Sequence, residues 1–195
     1  MPYIQVTLIQ GYSDNARVRI SERITRAVRA TIAAPLDGTV VAINEVAPSS
    51  WMRGGKSFRS PGPELADATR LVRDFLAAMQ SRDLGLAQSF LAPDFVMEFP
   101  GAVRMHTLAE LIAWAAPRYR SVAKTYERFD ESFGDDATVV YCHGTLSGEW
   151  PDGRAFTGIR FIDRFTVKDG KLADQTVWND LAEMRTSAVQ SNGAP

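Results

Sequence analysis

The sequence predicts an α+β protein in two units: a small β-α-β unit, followed by helices packed on one face of a curved antiparallel sheet. Three observations carry this. Before residue 57, two short runs with apolar residues at alternate positions flank an amphipathic helical stretch. Pro61, Gly62 and Pro63 then break every periodicity, because two prolines around a glycine continue neither a strand nor a helix. Beyond them, helical stripes give way to long alternating runs separated by Gly- and Asp-containing turns.

In the first unit Tyr3–Ile9 reads as a strand with Ile4, Val6 and Leu8 on one face. Gly11, Tyr12, Ser13 and Asp14 supply a turn and a helix cap, and residues 16–32 read as the helix. Ile20, Ile24, Ala27, Val28 and Ile32 line its apolar face, while Arg17, Arg19, Arg23, Arg26 and Arg29 occupy the others. A second strand over 39–46 carries Val41 and Ile43, and Trp51, Met52, Arg53, Gly54 and Gly55 form a hairpin. One helix and two strands cannot cover this much apolar surface alone, so a homo-oligomer is expected.

The domain division expected is 1–57, a linker over 58–65, a second domain over 66–185 and a flexible tail over 186–195. In the second domain a helix over 64–81 shows a stripe of Leu65, Ala68, Leu71, Val72, Phe75 and Met79. A short helix over 84–91, a turn at Ala92, Pro93 and Asp94, a strand over 95–99 and a helix over 108–119 follow. Four strands, over 124–133, 138–150, 155–168 and 171–181, then form an antiparallel meander.

Composition narrows the function classes. With 45% hydrophobic and 23% charged residues the chain is that of a soluble globular protein. A net charge of −1 lacks the basic surplus of a nucleic-acid binder. The single Cys142 allows no intrachain disulfide and no cysteine-based zinc site. No apolar run reaches membrane-span length and no signal peptide opens the chain, so a cytoplasmic protein with a small-molecule partner is expected, without nucleic acid, membrane, metal or cofactor.

Met1 followed by Pro2 is the most informative pair. Removal of Met1 leaves Pro2 with a free secondary amine, a base on a rigid ring whose charged form burial disfavours. Pro2, strand, helix, strand and the Gly54-Gly55 hairpin together resemble the 4-oxalocrotonate tautomerase family over residues 2–57. The resemblance implies keto–enol tautomerisation with Pro2 as the proton-transfer group. Tyr12 stands where founding members carry one arginine and Val40 where they carry another, while Trp51 matches the aromatic residue that shapes the pocket and Arg53 is the nearby cation. Tyr12, Trp51 and Arg53 therefore suit a larger, less charged and aromatic carbonyl compound rather than a dicarboxylate.

The second domain carries its own candidate. In the strand over 155–168, Ile159, Phe161, Asp163 and Phe165 share one face, and Arg160 and Arg164 the other. A carboxylate in an apolar row is cheaper to keep protonated than ionised, which makes Asp163 a candidate acid or base in the cavity. Cys142 and His143 face opposite ways and form no nucleophile–base dyad. The Ala92-Pro93-Asp94-Phe95 run, the segment 161–165, Asp169-Gly170-Lys171-Leu172 and Val177-Trp178-Asn179-Asp180 resemble the nuclear transport factor 2-like superfamily, with its ketosteroid isomerases and SnoaL-like polyketide cyclases, over about 66–185, and the resemblance implies a cone-shaped α+β barrel. Asp163 matches the isomerase's protonated aspartate, but Phe75 replaces its tyrosine and Phe99 its base, so steroid isomerisation is not implied. Glu98, His106, Tyr141, His143 and Trp178 are expected to line the cone as substrate-binding residues. Three readings stay open: a proline-dependent tautomerase fused to a binding or cyclase domain, an enzyme active only in the cone through Asp163, and a non-catalytic ligand-binding oligomer.

Overall fold

The computed structural model describes residues 1–57 and 60–185. The chain divides into two compact units after Glu64.

The first unit consists of β1 (Tyr3–Ile9), α1 (Asp14–Thr31), β2 (Val40–Val46) and a small hairpin, β3 (Met52–Arg53) with β4 (Lys56–Ser57). β1 and β2 pair in parallel from Tyr3 opposite Val40 to Ile9 opposite Val46. α1 starts earlier than the apolar spacing predicts because Ser13 caps it, its hydroxyl accepting from the Ala16 N–H at 3.1 Å. The Glu64 carboxylate in turn accepts from the Ser13 N–H at 2.6 Å and from its hydroxyl at 2.8 Å. Those bonds, the backbone one first, hold the Glu64 carboxyl below its ordinary range. Gly54 and Gly55 sit at φ 60° and 75°, the left-handed pair that a two-residue hairpin turn requires.

Burial in this unit is thin. Among its described residues the buried apolar ones are Ile9, Ala16 and Ala34, while Tyr3, Val18, Ile32 and Val40 stay exposed.

The second unit comprises α2 (Ala68–Gln80), α3 (Leu84–Ser89), β5 (Leu91–Phe99), β6 (Val103–Met105), α4 (Leu108–Ala115), β7 (Ser121–Phe133), β8 (Thr138–Glu149), β9 (Ala155–Lys168) and β10 (Lys171–Asn179). The strands form one six-stranded sheet in the order β6-β5-β10-β9-β8-β7. β7 to β10 are the expected antiparallel meander, but β5 pairs with β10 in parallel, so the sheet is mixed. The core lies between the inner sheet face and α2, where Phe75 meets Phe165 edge-on at 6.0 Å.

Register shifts bend the long strands, one between Tyr126 and Arg128 on β7 and one between Leu146 and Gly148 on β8. A side chain at Gly144 would meet the Thr125 carbonyl oxygen at 2.0 Å, so the close crossing of β7 and β8 depends on that glycine.

Several boundaries differ from expectation for local reasons. α2 begins at Ala68, since the Asp67 carboxylate accepts from the Arg70 N–H at 3.0 Å, and Leu65 falls outside the stripe and is exposed. Ala92, Pro93 and Asp94 lie inside β5 rather than in a turn. The pairing to β10 skips from Leu91 to Val96, so the N–H that Pro93 lacks costs no ladder bond. α4 ends at Ala115, ahead of Pro117, which disfavours helix at the residue before it. β6 was not expected. Phe58, Arg59 and the expected tail over 186–195 lie outside the described residues. Among the described residues no helix is long and apolar enough to cross a membrane.

Candidate functional site

Pro2 heads β1, half-buried, and its carbonyl accepts a hydrogen bond from the Val40 N–H at 3.0 Å. Met1 before it is 94% exposed. Tyr12 follows the other end of β1 and is half-buried; its carbonyl accepts from Arg17 Nη1 at 2.6 Å. The same guanidinium reaches Glu45 on β2 at 3.0 Å and pairs with Asp14, so the turn that carries Tyr12 is tied to both α1 and β2. Trp51 is half-buried after the helical turn at Pro48–Ser50, and Arg53 stands exposed on β3.

Parallel pairing fixes what one copy of this unit can bring together. Pro2 and Val40 lie at one end of the β1–β2 ladder, whereas Tyr12 and Trp51 leave the other end. At strand rise those ends are about 20 Å apart.

The second unit has a partly open cavity of about 140 Å³ between α2, α4 and the inner face of the sheet. Phe75, Leu76 and Met79 of α2, Phe99 of β5 and Leu111 of α4 form its apolar wall. Val122, Lys124 and Tyr126 line it from alternate positions of β7, and Gln175 from β10. Arg82 and Tyr119 also line it.

Asp163 lies on the inner face of β9, as alternation predicts, and is completely buried. Its surroundings correct the expectation of an unpaired acid facing the cavity. The carboxylate is paired with the Lys124 ammonium through Oδ2 and is not among the cavity-lining residues. Gln175 Nε2 donates to the same oxygen at 3.5 Å, and Oδ1 has no hydrogen-bond partner. Burial, reinforced by the Asp163 charge, pushes the Tyr126 phenol well above its ordinary range, so its hydroxyl stays a neutral donor. Burial and the same charge push the Cys142 thiol, opposite Asp163 on β8, up to about 12.

The five residues expected to line the cone do not. Glu98 faces away from the apolar row of β5 and accepts from Arg104 Nε at 2.9 Å. His106 is exposed ahead of α4, where its N–H donates to the Glu110 carboxylate at 2.6 Å. Tyr141, His143 and Trp178 project from the outer sheet face, since Val140, Cys142 and Val177 beside them take the inner positions. There His143 and Trp178 border an open groove with Glu127, Ile162 and Asp180, and His143 Nδ1 lies 3.6 Å from Glu127.

Lys124, Tyr126, Arg82 and Gln175 are among the cavity residues that sequence reasoning missed. The signal was available: Val122, Lys124 and Tyr126 alternate, so a cation interrupts an apolar row as Asp163 does on β9.

Comparison with known proteins agrees with this division. Residues 2–60 match the tautomerase enzyme family and residues 72–175 the SnoaL-like domain. The chain is 34% identical over 56 residues to a probable tautomerase of Bacillus cereus, covering 29% of this chain and 92% of that one. It is 41% identical over 51 residues to a probable tautomerase of Ralstonia nicotianae, covering 26% and 73%. Its fold is similar to that of a nuclear transport factor 2-like protein of Burkholderia pseudomallei, with a TM-score of 0.53 and 23% identity over 62% of this chain and 95% of that one. The chain thus belongs to the tautomerase enzyme family through its first unit and to the SnoaL-like family through its second.

Proposed function

We propose that the protein is a cytoplasmic isomerase that interconverts the enol and keto forms of a small, hydrophobic or aromatic carbonyl compound, with the amino group of Pro2 as general base. The observation that carries this reading is Pro2 at the head of β1 in a tautomerase-family unit, next to an exposed Met1. Once Met1 is cleaved, the secondary amine takes the enol hydroxyl proton and, as prolinium, returns a proton to the neighbouring carbon; the O–H electrons become the C=O π bond and the C=C electrons form the new C–H bond, which leaves the ketone and the free amine. Atoms and electrons balance without a cofactor.

Because Pro2 and the Tyr12–Trp51 end lie at opposite ends of the β1–β2 ladder, a pocket that uses all of them draws Tyr12, Trp51 and Arg53 from another copy of the chain. The sparse burial of the first unit favours the same homo-oligomer. Residues 1–57 form the tautomerase domain in this reading, 58–65 the linker and 66–185 a small-molecule-binding domain. The rival in which Asp163 is the acid or base of the cone is not favoured, since Asp163 is ion-paired and does not line the cavity.

Intact mass spectrometry of the purified protein tests the premise. The proposal expects a mass lower than the 195-residue chain by one methionine. A retained Met1 makes the Pro2 nitrogen an amide with no basic lone pair and ends the proposal.

A further inference from the structure

The cavity of the second unit carries a charge pattern that neither family membership nor the proline chemistry supplies. Its wall is apolar, yet two cations line it, Lys124 and Arg82, and no aspartate or glutamate does among the described residues. The Lys124 side chain is only 21% exposed. Its ammonium gives one hydrogen to Asp163, lies 4.6 Å from the centre of the Phe161 ring, and keeps donor capacity for an acceptor in the cavity. Beside it the Tyr126 hydroxyl remains protonated and can donate to the same acceptor.

Arg82 is placed with equal care. It follows the end of α2 at φ 63°, a left-handed conformation that glycine ordinarily takes at this point of a helix terminus. Arg82 is exposed and borders the cavity.

Charge and volume together select a ligand. Lys124 is the shielded cation of the site and keeps donor capacity beyond its pair with Asp163, while the exposed Arg82 adds only a screened positive charge, so the site favours a ligand bearing one negative charge over a neutral one. A cavity of about 140 Å³ is close to the roughly 150 Å³ that accommodates one benzene ring. We infer that the second unit binds a single-ring hydrophobic monoanion, a carboxylate or enolate, whose charged oxygen is held by the Lys124 ammonium and the Tyr126 hydroxyl while its ring packs on Phe75, Met79 and Phe99. Lys124 is thereby the residue that makes this cavity selective for anions. The inference is independent of any role for Pro2.

Isothermal titration calorimetry of the full chain with phenylacetate and with its uncharged counterpart phenylacetamide tests it. Phenylacetate is expected to bind at least about tenfold more tightly, the value of one charge-assisted hydrogen bond in a shielded site. Lys124→Met combined with Asp163→Asn removes both charges, so no lone ion is left buried, and is expected to abolish the preference. In the unsubstituted protein, phenylacetate is expected to shift the ring resonances of Tyr126 and Phe99, which decides the matter even if the double variant does not fold. Equal affinity for the two compounds, no binding of phenylacetate, a preference that survives the double substitution, or resonance shifts confined to residues 1–64 would each overturn the inference.

Discussion

The Lys124 ammonium and the fully buried carboxylate of Asp163 form an ion pair beneath the cavity of the second unit, with Gln175 as the carboxylate's neutral partner. The two residues reach each other across β8 from β7 and β9.

A pair with one wholly buried member is costly to break from one side. Asp163→Ala leaves the Lys124 charge uncompensated in an apolar setting and is expected to destabilise the second unit by about 3 kcal/mol or more. The double substitution Lys124→Met with Asp163→Leu is expected to recover most of that loss. Urea unfolding of the three proteins measures both. A loss below about 1 kcal/mol in the single variant, the range of an exposed pair, would contradict the assigned burial.

Cys142 supplies a probe of the same core. The side chain is buried and its thiol is raised to about 12 by burial and the Asp163 charge, so the thiolate is negligible at pH 8. The native protein is therefore expected to resist a thiol-specific disulfide reagent at that pH, and the urea-unfolded protein to react at once. Rapid reaction of the native protein would show that the inner sheet face opens easily.

Among its described residues the first unit buries only the apolar Ile9, Ala16 and Ala34, and leaves Tyr3, Val18, Ile32 and Val40 uncovered. Sedimentation velocity at micromolar concentration is expected to show a dimer or larger assembly. A single species at 21.5 kDa would refute the shared-pocket arrangement, because one copy sends Pro2 and Tyr12 to opposite ends of its ladder.

The fold was legible where local patterns are strong. Ser13 lay in the expected cap although α1 begins at Asp14 rather than at 16, Gly54 and Gly55 announced the hairpin, and alternation put Asp163 on the inner face of β9. Alternation separates the two faces of a strand but leaves open which of them a polar residue shares with the cavity. His143 and Trp178 went wrong for that reason, although the separation of Cys142 from His143 already implied that a buried Cys142 sends His143 outward. The partner of Asp163 was illegible because Lys124 lies 39 residues away on a strand that is not its neighbour. The strand through Pro93 escaped notice since a proline ordinarily ends a ladder, and only the irregular pairing with β10 shows why this one does not.

The central claim is that the Pro2 amine moves the proton, and replacing that residue tests it most directly. Pro2→Ala, verified to have lost Met1, keeps a terminal amine but loses the rigid ring that fixes the base. Ketonisation of phenylenolpyruvate, followed by its ultraviolet absorbance, is expected to slow by about 100-fold or more, the contribution of a positioned general base. Circular dichroism and the oligomeric state are expected to remain those of the parent protein. Turnover by Pro2→Ala equal to that of the parent would contradict the account.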